Sequence, residues 1–254
     1  MNNNIYIPSP LEQFNIDSYI TLSLGYIDFS ITNAFICFFV ASATFLYLLS
    51  LATNHGGMLI PTHIQSVIEL IYEFLLNLVK EQIGEKGKVF FPFIFCLFTF
   101  LVSCNLIGMV PYSFTVTSHF IVTFGLSVSV FVGMTLVGFY THGLHFFSFL
   151  LPPGAPLILA PLLVILELVS YCFRAISLGV RLFANMMAGH TLVKILAGFS
   201  WTMMSAGGLL AIASLIPFGI VFALTGLEIG VAILQAYVFT ILTCIYLNDA
   251  IHLH

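Results

Sequence analysis

Between residues 162 and 197 the chain has no proline, only isolated glycines, and mostly apolar side chains. Read as one helix, this stretch of about 36 residues would run roughly 54 Å. The hydrocarbon core of a bilayer is only about 30 Å thick. Such a helix must tilt strongly or break. Four more apolar stretches accompany it, at 30–51, 89–110, 120–140 and 209–247. Of 254 residues, 60% are hydrophobic and 6% charged. A soluble domain carries about 25% charged residues, and six Lys+Arg with ten Asp+Glu could not cover a water-facing surface. The runs exceed the length of barrel strands, so the sequence predicts an all-α integral membrane protein. The formal charge of −4 identifies no partner class, and with no basic patch nucleic acid is not an expected partner.

The sequence predicts a single membrane domain over 1–254. It comprises an N-terminal segment (1–29), a spanning helix (30–51), an amphipathic interfacial helix (64–84), a helical hairpin (89–140) and a pair of long, strongly tilted antiparallel helices (157–250). In the interfacial helix Gln65, Glu69, Glu73 and Asn77 recur every fourth residue against an apolar opposite face, the pattern of a helix lying in the membrane surface. Lys80, Lys86 and Lys88 mark the inner side by the positive-inside rule, which puts the acidic N-terminal segment (Glu12, Asp17, Asp28) outside. "THGLHFFSFLLPPGAP" reads as an inner loop or re-entrant turn, and "GFSWTMMSAGG" as the turn between the last two helices. Pro217 stands near the start of the final helix. The first residues lack a basic region followed by an apolar one, so the first apolar run is expected to stay as an anchor. The five cysteines are scattered without a C-x-x-C pair and read as small buried hydrophobes.

The final pair of helices carries polar groups that a bilayer disfavours. The first holds Glu167, Arg174, Arg181, Asn185, His190 and Lys194; the second holds Glu228, Gln235 and Asp249. At about 100° per residue, Glu167, Arg174, Arg181 and Asn185 share one stripe, within about 40° of one another, with His190 nearly opposite. In an antiparallel pair, residues at equal depth have a constant sum of numbers. Arg181 then matches Gln235, Glu167 matches Asp249, and His190 matches Glu228, giving polar levels at the middle, inner and outer ends. An arginine at the bilayer centre costs about 2.5–3.5 kcal/mol or more, and intramembrane charges usually mark ion paths. Arg174 has a structural alternative, pairing with Glu167. Lys194 is expected to snorkel to an interface. His142, His145, His252 and His254 are expected to be solvated at helix ends and loops.

"LELVSYCFRAISLGVRLFANMMAGHTLVKILAG" and "LEIGVAILQAYVFTILTCIYLNDAIHLH", with "PLEQF" near the start, resemble the subunit a family of rotary F-type ATP synthases, above all the mitochondrial and related bacterial forms. The spacing R-L-x-x-N-x-x-A-G-H is the specific element. The resemblance implies a proton-translocating stator subunit without a catalytic site or cofactor of its own. Its implied partners are a ring of c subunits, the peripheral stalk and other membrane-sector subunits, and the lipid bilayer. It implies that Arg181 is the essential arginine facing the ring. Glu167 and Asp249 match residues near the inner half-channel, and His190 and Glu228 residues of the outer one. Asn185 and Gln235 match polar neighbours of the arginine, and Arg174 a second basic position. The implied location is the mitochondrial inner membrane, with a bacterial plasma membrane as the alternative. Another ion-translocating membrane subunit or a secondary transporter is the competing reading. A transporter predicts an internal repeat and two matching broken helices, which the sequence lacks.

Overall fold

The computed structural model describes residues 9–21, 23–24, 27–53, 61–110, 113–143 and 160–251. Its helices are α1 (Asn33–Thr53), α2 (His63–Ile83), α3 (Phe91–Gly108), α4 (Phe120–His142), α5 (Ala160–Ser205), α6 (Leu209–Ala213) and α7 (Leu215–Ile251). Five helical segments among the described residues are long and apolar enough to cross a membrane. The protein is an all-α, multi-pass membrane protein. The expected inner loop falls mostly on residues 144–159, and His145, His252 and His254 likewise lie outside the described residues.

Several boundaries differ from those expected. Helix α5 does not turn at "GFSWTMMSAGG" but continues through Gly198 to Ser205, reaching 46 residues. The break comes where Gly207 and Gly208 take φ of 72° and 61°, a left-handed backbone that favours glycine. The final helix is divided. The short α6 ends at Ala213, capped by Ser214, and α7 begins with Pro217 in its first turn, where a missing N–H leaves no hydrogen bond unmade. A short 3₁₀ turn, Glu85–Phe90, precedes α3. The N-terminal segment adds four short strands. β1 (Ser18–Ile20) pairs antiparallel with β4 (Ile31–Thr32), and β2 (Ser23–Leu24) with β3 (Ile27–Asp28). The segment is rich in isoleucine, threonine and tyrosine, which suit strands, but each strand is too short for a readable alternation.

The amphipathic helix α2 starts on Thr62, whose side chain accepts from the Gln65 backbone N–H, a helix N-cap. Glu69, Glu73 and Asn77 are exposed, whereas Gln65 is buried and donates to Glu69 at 2.7 Å. Leu75, Leu78, Val79 and Ile83 join the core with Ile94 and Leu101 of α3, Leu178 and Leu182 of α5, and Phe239, Cys244 and Leu247 of α7. Cys104 and Cys244 are buried as expected, but Cys96 and Cys172 lie on exposed faces. In a bilayer an outward thiol is as well accommodated as an inward one, so burial does not follow from apolar character.

Helix packing rests on small side chains, as it does where lipid competes equally for large apolar ones. The buried face of α7 includes Ala232, Ala236, Thr240, Thr243 and Ala250. Helices α4 and α5 touch where the Ser127 hydroxyl donates to the Ala175 carbonyl. One turn further, a Cβ at Gly179 would come within 3.1 Å of the Thr123 carbonyl and 3.2 Å of the Phe124 Cα. Backbone atoms cannot step aside cheaply. Gly179→Leu is expected to separate the helices, at a cost above the ~1–3 kcal/mol usual for overpacking. Gly198→Leu, with nothing within 4 Å of its Cβ, is the control. Immunoblots of isolated membranes should lose the first variant and retain the second.

Candidate functional site

Helix α3 leads away from Lys88, and α4 returns, so the loop between them lies at the end opposite the lysines. Asn105, near the far end of α3, is fully buried and donates to the Ala232 carbonyl of α7 at 3.0 Å. At the near end, His142 of α4 lies 3.0 Å from the Ile251 carbonyl of α7. This histidine was expected to be solvated, but it is half-buried and ties two helix ends together. The two contacts set the depth of α7 and so fix the levels of its polar residues against α5.

At the lysine end, Arg174 stands between two carboxylates. It lies 3.2 Å from Asp249 and 3.7 Å from Glu167, with its guanidinium 5.8 Å from the centre of the Tyr246 ring. Glu167 and Asp249 do share a level, and Arg174 is what joins them. In the middle, Asn185 donates to the Gln235 side chain at 2.9 Å. Gln235 was matched with Arg181 on depth, but its hydrogen-bond partner is the asparagine one turn along. Gln235 is buried, and its Nε2 has no partner among the described residues.

Arg181 is arranged otherwise. It is exposed, on the face of α5 turned away from the core, and has no ion pair or hydrogen bond among the described residues. One arginine of the stripe is therefore neutralised within the chain, and the other is presented outward beside a polar pair.

At the far end a cavity of about 1010 Å³ contains His190, Lys194 and Glu228, with Thr115 and Asn33 in its wall. Lys194, expected at an interface, thus lines a cavity. The Thr115 hydroxyl lies 3.3 Å from the Gly108 carbonyl and 3.3 Å from His190 Nε2. The hydroxyl can donate to the carbonyl while accepting from Nε2–H, or donate to an unprotonated Nε2, so Thr115 can hold the ring in either tautomer. Glu228 approaches α5 closely because residue 189 is glycine: a Cβ there would meet Glu228 Oε1 at 2.8 Å. That oxygen has no partner among the described residues. The N-terminal segment covers part of the cavity with Gln13, Phe14 and Tyr19. It is held by Asn33, whose side-chain amide donates to the Asn15 carbonyl at 2.9 Å and whose backbone N–H donates to the Asp17 backbone carbonyl at 3.1 Å. Nearby, His119 stacks on Phe114, and burial pushes its imidazole below the ordinary histidine value.

Sequence reasoning missed Thr115, Asn105, Gly189 and the linking role of His142. A lone amide inside an apolar run could have singled out Asn105. Nothing in the spacing points to Thr115, which lies far from His190 along the chain. Among the described residues no group of three or more histidine, cysteine or acidic side chains could hold a metal ion.

Comparison with known proteins shows the family of the chain. A family model described as ATP synthase A chain matches residues 34–248. The ATP synthase subunit a of Marchantia polymorpha is 64% identical over 249 residues, covering 97% of this chain and 99% of that protein. That of Brassica napus is 60% identical over 252 residues, covering 97% of each, and that of Chondrus crispus is 52% identical over 254 residues, covering the whole of both. The family model runs from the first turn of α1 through most of α7 and takes in both arginines, His190, Glu228 and the Asn185–Gln235 pair, and with the relatives covering nearly the whole chain, the chain belongs to the ATP synthase A chain family.

Proposed function

We propose that this chain is the proton-conducting stator subunit of an ATP synthase membrane sector, working against a ring of c subunits in the mitochondrial inner membrane. The observation that carries the reading is the contrast between two arginines on one stripe. Arg174 is held by Glu167 and Asp249, while Arg181 is exposed and unpaired among the described residues. An unpaired charge facing lipid is costly, so the face bearing Arg181 calls for a partner that brings a carboxylate. A ring whose subunits each carry one carboxyl supplies it repeatedly.

The chemistry follows. A carboxyl crossing lipid must be neutral, so it carries its proton there. Beside Arg181 the ionised form is favoured, and the proton leaves. Two water-filled half-channels serve the two sides, an outer one at His190 and Glu228 and an inner one near Glu167, Arg174 and Asp249. Arg181 separates them and repels protons from a direct passage, while Asn185 and Gln235 steady the polar patch beside it. A 46-residue helix of roughly 69 Å lies steeply tilted in this arrangement, which lets one helix run from channel to channel along the ring. Attachment to a peripheral stalk keeps the chain from turning with the ring.

Two measurements test this. With the native cysteines replaced, Thr225→Cys in the outer cavity should react with a membrane-impermeant maleimide from the outer side only, and Asp249→Cys from the inner side only. Labelling of either from both sides, or of neither, would rule out two separate half-channels. The second concerns Gly189. Gly189→Ala should dislodge the Glu228 carboxylate and lower proton-driven ATP synthesis about tenfold, given that a misplacement of about 1 Å can cost some hundredfold. Assembly on native gels should be unchanged.

A further inference from the structure

We propose that the crevice between α4 and the α1–α3 pair holds one acyl chain of a bilayer phospholipid, whose ester carbonyl accepts a hydrogen bond from Thr117. This rests on the chain spanning a membrane and not on the proton path. The crevice has a volume of about 260 Å³ and is walled by Phe38 of α1, Phe100 and Cys104 of α3, and Leu126 of α4, with Leu182 of α5 at its back. Its mouth opens sideways, on the outer face of the helices. Gly125 and Ser129 of α4 are exposed there, Phe38 is 42% exposed, and a Cβ at Gly125 would meet nothing within 4 Å.

The polar end is equally defined. Thr117 lies in the 3₁₀ turn Val116–Ser118, just before the first residue of the apolar helix α4. It is 4% exposed, lines the crevice, and its hydroxyl has no partner among the described residues. The other hydroxyls of the lining are engaged, Thr123 with the His119 and Phe120 carbonyls and Ser129 with the Leu126 carbonyl. A buried hydroxyl left unbonded is costly, so the site calls for an acceptor at this one end and for apolar matter below.

Length and width select the occupant. From Phe120 to Ser129 a helix rises about 14 Å, close to half of the ~30 Å hydrocarbon core and thus one leaflet. A helix, about 10 Å across, does not fit a space of this volume, whereas a single chain does. A water molecule on Thr117 would satisfy the hydroxyl but leave the apolar wall uncovered.

The test uses the intact complex reconstituted in phosphatidylcholine vesicles containing a phosphatidylcholine with a diazirine midway along one acyl chain. After irradiation, adducts are mapped by peptide mass spectrometry. Adducts should concentrate on Phe38, Phe100 and Leu126 relative to the exposed Leu136 of α4. Thr117→Val, which keeps the shape and removes the donor, should lower crevice labelling about fivefold, the worth of one hydrogen bond. Gly125→Leu should abolish it while Leu136 labels as before. Crevice labelling no greater than at Leu136, or equal in the wild type and Thr117→Val, overturns the proposal, the first because it marks ordinary boundary lipid or a wet crevice. Thr117→Val alone decides the matter if Gly125→Leu fails to assemble.

Discussion

Replacing Arg181 with lysine is expected to abolish proton-driven ATP synthesis, although the formal charge is kept. Among the described residues Arg181 has neither an ion pair nor a hydrogen bond, so no described group would compel an ammonium in its place to stay protonated. A guanidinium does not give up its proton in proteins, whereas a desolvated lysine can. The guanidinium fork can also hold a carboxylate through two parallel hydrogen bonds, which an ammonium cannot match. Arg174→Lys is the internal control. Glu167 and Asp249 both lie within ion-pair reach there and would keep an ammonium charged, so that variant should retain most activity. The assay is ATP synthesis by vesicles under an imposed pH difference and potential, with assembly checked by native gel. Near-normal synthesis by the Arg181 variant would sink the idea of a separating charge.

Glu228→Gln is expected to slow proton entry about a hundredfold, at the low end of what positioned acid–base groups contribute, and to leave the complex assembled. The substitution keeps the shape seated against Gly189 and removes only the ability to take and give a proton. His190 remains in the cavity, held through Thr115, and sustains the residual flux. Glu228→Asp should fall between the two, since its shorter side chain carries the same chemistry at the wrong reach. Proton uptake by reconstituted vesicles, read with a pH-sensitive dye, is the measurement. Unchanged uptake in the glutamine variant would remove Glu228 from the path.

Much of this was legible in the residues. Apolar runs longer than a bilayer is thick dictate a helical membrane protein whatever the rest contains. The four-residue recurrence of Gln65, Glu69, Glu73 and Asn77 marked an amphipathic helix, of which Glu69, Glu73 and Asn77 are exposed and Gln65 is turned inward. Charged groups inside the last two helices are so costly in lipid that their presence singles them out as candidates, and their periodicity assigns them to common faces. Equal helical rise then brought Glu167 level with Asp249, and His190 near the level of Glu228.

The partners of those groups were not legible, for a physical reason. In water, burial leaves an apolar–polar periodicity that points each helix inward; in lipid both faces are apolar and the pattern is erased. Depth matching is also coarser than hydrogen-bond geometry. It could not tell that Gln235 bonds Asn185 and leaves Arg181 outward, or that Arg174 takes both Glu167 and Asp249. Thr115 reaches His190 from a loop, and Glu228 finds its seat only because Gly189 lacks a Cβ. The residue types and spacing determined which groups a membrane would tolerate only for a purpose. The tertiary packing of α3, α4, α5 and α7 decided which arginine is neutralised within the chain and which is held out, because a close contact across helices depends on fractions of an ångström that no spacing along one chain records.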